Sequence, residues 1–120
     1  MPFITLELSK DIAFDFQPFA LELHSSLAPR LGVPIEYMKC VLYRPDAVVI
    51  GENASSASYA RLKIELKQGR EHALLIACQK EILRRFSDEL RRSNPALSCR
   101  VTVEFSEIPP ALLEATGLSG

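Results

Sequence analysis

Apolar and polar positions alternate from Phe3 to Leu8, with Ile4, Leu6 and Leu8 on one side. A period of two predicts a half-buried strand. From Phe16 the period lengthens: Phe16, Phe19, Ala20, Leu23, Leu27 and Leu31 recur at helical spacing, and Gly32 closes the run. Pro18 suits an early helical position, and Ser9 or Asp15 offers a capping oxygen. Pro29 removes an N–H near the end, so a kink or an early stop is expected. "EYMKCVLY" reads as a second strand, broken by Arg44-Pro45-Asp46. "DAVVIGENASSAS" is a short apolar run followed by a polar loop.

Alternation returns in "YARLKIEL", a third strand, and "KQGRE" turns the chain. The run from His72 to Ser93 predicts a long helix, its buried stripe marked by Ile76, Leu83, Phe86 and Leu90. Arg84, Arg85, Arg91 and Arg92 gather towards its negative end. "NPA" breaks it, and "LSCRVTVEF" is a fourth strand with Val101, Val103 and Phe105 on one face. The tail has room for one short helical turn. His24 and His72 fall on helices and read as surface histidines, with no nucleophile identifiable beside them.

Strand–helix–strand therefore occurs twice, over about 1–50 and 58–108, with a tail at 109–120. The expected fold is α+β: duplicated β-α-β units in one domain over 1–120, forming a four-stranded sheet with two helices on one face. The other sheet face would be bare and largely apolar. A large exposed apolar face marks an interaction site, so self-association is expected.

Composition narrows the function classes. The 120 residues carry a net charge of −1, with 24% charged and 48% hydrophobic residues. These totals imply no basic face for nucleic acid. No apolar run approaches the roughly 20 residues that span a bilayer, and no secretory leader is evident. A cytoplasmic protein is expected. Cys40, Cys78 and Cys99 are widely spaced and read as reduced, mostly buried thiols. Without a Cys-x-x-Cys pair or a histidine cluster, no metal is expected.

Met1-Pro2 ahead of the duplicated pattern, with Gly69-Arg70 at the second strand–helix turn, resembles the tautomerase superfamily. "MPFITLELSKDI", "LKIELKQGRE" and "VEFSEIPP" are most similar to the 5-carboxymethyl-2-hydroxymuconate isomerases. "RPDAVVIGENASSASYA" is similar to the macrophage migration inhibitory factors. From the latter the chain departs at Val33, at Tyr59 and Leu62 in place of two cysteines, and at Thr102 and Glu104.

The resemblance implies a trimer and a cofactor-free tautomerase or isomerase of a small 2-oxo or 2-hydroxydienoate acid. It assigns the general base to Pro2, freed by loss of Met1, and carboxylate contacts to Arg70 and Lys39. Glu104, Thr102 and Phe105 are weaker pocket candidates, and the tail around Leu112 and Leu113 would help complete a neighbour's pocket. The chemistry suits these residue types. A neutral amine near pH 7 can move a proton, nearby cations lower its pKa, and a guanidinium holds a carboxylate by two hydrogen bonds. The other reading is a non-catalytic trimeric interaction or ligand-binding protein that keeps the fold. Only the enzyme needs Pro2 free.

Overall fold

A computed structural model describes residues 1–54 and 57–120. Part of the polar loop after Ile50 lies outside the described residues. Four strands, β1 (Phe3–Leu8), β2 (Lys39–Tyr43), β3 (Ala60–Lys67) and β4 (Val101–Ile108), form one sheet in the order β2-β1-β3-β4. The helices are α1 (Phe16–Leu31) and α2 (His72–Ser93), and short 3-10 turns cover Ile35–Tyr37 and Pro110–Leu112. The outer pairs, β1 with β2 and β3 with β4, run parallel; the central pair, β1 with β3, is antiparallel. Both helices cover the same face.

Alternation decides that face. Ile4, Leu6 and Leu8 of β1 and Ala60, Leu62, Ile64 and Leu66 of β3 are buried against Leu23, Leu27, Leu75, Ile82 and Phe86 of the helices. Phe14, Phe19 and Phe86 pack with ring centroids 5.0–5.8 Å apart, the edge-on and tilted spacing that aromatic quadrupoles favour.

The buried stripe of α2 is Leu75, Cys78, Ile82, Phe86 and Leu90. Phe86 and Leu90 lie where the periodicity put them. Ile76 and Leu83 do not: they remain 51% and 38% exposed. Each sits one residue, or 100° of helical turn, past a member of the true stripe.

Pro29 neither kinks nor shortens α1, because it falls in the last turn. Gly32 takes a left-handed φ of 67° and donates to Pro29 O, while Val33 donates to Ala28 O at 3.0 Å. That is a Schellman closure. Asp15 occupies the N-cap without a side-chain cap bond. Ser9 is instead buried, and its Oγ accepts the Tyr59 N–H at 2.9 Å. Arg44 Nη1 donates to Ser9 O and Ile12 O at 2.8 and 2.7 Å, which fixes the loop before α1.

The uncovered sheet face differs from the expectation of an apolar surface. Phe3, Thr5, Glu7, Lys39, Val41, Tyr43, Arg61, Lys63, Glu65, Lys67, Thr102, Glu104, Ser106 and Ile108 alternate with the core positions. The face is mostly polar, since the odd-numbered positions of β3 are all charged. Its apolar members are Phe3, Val41, Tyr43 and Ile108.

Candidate active site

Pro2 is buried at the start of β1, and its carbonyl accepts the Lys39 N–H at 3.4 Å. Phe3 pairs with Lys39 on one side and Glu65 on the other. Lys67, the last residue of β3, lies two residues beyond Glu65. The Met1 amine is held below the ordinary α-amino range, first by burial and then by the charges of Lys39, Lys67 and Arg70. Neither lysine nor Arg70 forms an ion pair among the described residues.

Pro2, Lys39 and Arg70 thus meet at one end of the sheet. Lys67 joins them, and sequence reasoning missed it. The signal was present in the β3 alternation but needed the register between β1 and β3 to be read.

Arg70 reaches this end through a turn in which Gly69 has φ of 130°, a backbone that glycine tolerates. The guanidinium is partly engaged. Its Nε donates to Leu31 O at 3.1 Å and its Nη1 to Lys67 O at 3.2 Å. Leu31 ends α1, so a cation here satisfies an orphan carbonyl at the negative helix end. Three of the five guanidinium N–H donors are left for a ligand.

Glu104, Thr102 and Phe105 lie elsewhere. Glu104 pairs across β3 and β1 with Lys63 and then Thr5, three residues along and two strands across from Pro2. At about 3.3 Å per residue and 4.8 Å per strand, this is roughly 14 Å within one chain.

Glu104 is tied to Arg61, whose Nε donates to it at 2.7 Å. Arg61 also faces Glu7 at 3.8 Å, and Tyr59 Oη donates to Glu7 at 3.0 Å. Burial and then the Glu7 hydrogen bond push the Tyr59 phenol up. Thr102 pairs with Arg61 at this end, and Phe105 packs against the core on the helix side.

Other candidates resolve simply. Cys78 is buried, and Cys40 and Cys99 are half-buried; all are free thiols. Burial raises all three pKa values, that of Cys40 to about 12, which keeps thiolate scarce. His72 is exposed and meets Glu107 at 2.9 Å. His24 is not a free surface histidine: its Nε2 is buried without a partner, and burial lowers its pKa. Among the described residues no group of three His, Cys, Asp or Glu could hold a metal ion, and no helix is long and apolar enough to cross a membrane.

No family model matches the chain, and no curated protein matches it by sequence. Solved structures do. The macrophage migration inhibitory factor-like protein of Entamoeba histolytica is 18% identical, with 96% of this chain and 95% of that one covered and a TM-score of 0.67. A fused wild-type 4-OT, solved as an asymmetric trimer, is 17% identical over 98% of this chain and 95% of its own, with a TM-score of 0.76. A member of the cis-3-chloroacrylic acid dehalogenase family is 15% identical over 98% of this chain and 82% of its own, also at 0.76. The four-stranded mixed sheet with its two helices on one face is the tautomerase fold.

Proposed function

We propose that this chain is a cofactor-free keto–enol tautomerase or isomerase of a small 2-oxo or 2-hydroxydienoate carboxylic acid, with Pro2 as general base after loss of Met1. The observation that carries this reading is the partly desolvated amine among Lys39, Lys67 and Arg70. An α-amino group ordinarily titrates near about 7.7–8.0. Burial and three neighbouring cations disfavour the protonated form of an amine at this place.

The neutral nitrogen takes the enol O–H proton and returns it to the adjacent carbon, converting enol to ketone. The three cations hold the substrate carboxylate and the enolate charge that develops between the two steps. Glu104, Thr102 and Phe105 remain weaker candidates, reaching a substrate only from a neighbouring copy or through a longer ligand. A homotrimer completes the proposal, in keeping with the trimeric state of the fused 4-OT neighbours.

A second reading is a non-catalytic trimeric ligand-binding protein. The two backbone carbonyls already held by Arg70 favour it, since a structural arginine needs no substrate.

The test compares protein with and without Met1 in enol-to-keto conversion of phenylpyruvate, followed by absorbance. An amide nitrogen has no basic lone pair, and general-base assistance is worth typically 10²–10⁴-fold. The Met1-retaining form is expected to lose most of that factor. Equal rates would remove the proline mechanism and leave the binding protein.

A further inference from the structure

The charges on the uncovered sheet face fall into two sets. Arg61 Nε donates to Glu104 at 2.7 Å and the guanidinium lies 3.8 Å from Glu7, so these three are engaged within one chain. Lys63 and Glu65, in the middle of β3, are not. Each is half-buried, and neither has a side-chain hydrogen bond or ion pair among the described residues.

The register accounts for this. Lys63 stands opposite Thr5 on β1 and Glu104 on β4, and Glu104 is taken by Arg61. Glu65 stands opposite Phe3 and Ser106, neither of them charged. Along β3 the two lie two residues apart on one face, and no ion pair joins them. We propose that this face docks against a second copy of the chain, with Glu65 of one copy meeting Lys63 of the next.

One charge of each sign, side by side on a strand, makes the face complementary to itself. A half-buried charge without a partner is costly, and a second copy brings the missing sign for both. In a ring each copy offers Lys63 to one neighbour and Glu65 to the other, a head-to-tail contact that rotation closes. Lys39 and Lys67, the other unpaired cations of this face, are exposed at its end and stay hydrated, so the half-buried Lys63 is the partner with more to gain. Apolar Phe3 beside Glu65 helps to exclude water from the contact, where opposite charges attract more strongly than in the open. The proposal rests on the homotrimer inferred above and names the residues that set its contact.

The experiment is sedimentation velocity on the full chain at micromolar concentration, with far-UV circular dichroism to separate loss of assembly from loss of fold. The wild-type chain is expected to sediment as a trimer. Lys63→Glu and Glu65→Lys each set like charges against one another across the contact, and each should raise the dissociation constant at least about tenfold. Glu65→Gln keeps the size and removes only the charge, so it should weaken assembly by a smaller factor even where a reversal disturbs the fold. The exchanged double variant, Lys63→Glu with Glu65→Lys, restores opposite charges and should sediment as a trimer again. Assembly unchanged in Glu65→Gln or in the folded reversals would overturn the Lys63–Glu65 contact and leave self-association standing. A folded double variant that stays monomeric would do the same. A monomeric wild-type chain would overturn both.

Discussion

The two ends of β1 carry similar side chains and opposite electrostatics. At the far end, Arg61 lies between Glu104 and Glu7, and Tyr59 donates to Glu7. Each charge there has a partner, so the cluster is inert towards an incoming anion. At the near end, Lys39, Lys67 and Arg70 surround the chain start with no carboxylate paired to them among the described residues. A protein that only needed to fold would pair these cations too. Unpaired like charges beside a half-buried amine raise the energy of the compact state, and a bound anion relieves that cost. The contrast is between a paired charge network and a cluster of unpaired cations.

Arg70→Ala should give the largest effect among the side chains, because it acts at both levels. Loss of a charged hydrogen bond to the substrate is expected to cost roughly 1.5–3 kcal/mol in kcat/KM, read by steady-state assay. Leu31 O and Lys67 O also lose their donor, so a further drop of about 1 kcal/mol in unfolding free energy is expected, read by urea denaturation. The guanidinium is half-buried, so its removal is not a simple surface change. A variant with full activity and lowered stability would assign Arg70 to the helix end only.

Lys39→Met and Lys67→Met sharpen the comparison through pH. Each removes a cation that lowers the amine pKa, so that pKa should rise. The neutral, active fraction then appears at higher pH, and the rising limb of kcat/KM should move upward. Lys39, the larger contributor, should move it further than Lys67. A limb unmoved in both variants would separate the cations from the base.

Glu104→Gln probes the far end. Its side chain and that of Arg61 are 46% and 34% exposed, and such pairs contribute about 0–1 kcal/mol. Stability should change within that range and turnover within a few-fold. A loss of turnover beyond tenfold would bring Glu104 into the active site of a neighbouring copy.

How much of this was visible in the sequence follows from range. β1, the α1 stripe and the Gly32 stop depend on local periodicity, and they read directly. β2 starts at Lys39 rather than Glu36 because Ile35–Tyr37 winds into a 3-10 turn after Pro34. β4 starts at Val101 rather than Leu97, since its bounds follow pairing with β3 from Ala60 to Lys67. The polar character of the whole uncovered face emerges only when four strands are aligned. The meeting of Pro2, Lys39 and Arg70 came from family likeness. Lys67 came from register, which no single strand encodes.

The smallest expected effect is on stability. Burial lowers the His24 pKa, so the unfolded chain binds that proton first as pH falls through about 6.5. Stability should therefore decline below that pH until the folded pKa is passed. His24→Leu should flatten this decline, read as urea midpoints at pH 7.5 and 5.5. An identical decline in the variant would move the effect to other groups.

The central claim is that the freed Pro2 nitrogen sits among uncompensated cations that make it lose its proton more readily than an ordinary α-amino group does. An NMR titration of ¹⁵N-proline-labelled, Met1-free protein measures this directly. The account predicts a Pro2 pKa below the roughly 7.7–8.0 of an ordinary α-amino group, rising in Lys39→Met. A value at or above that range, unchanged in the variant, would contradict it.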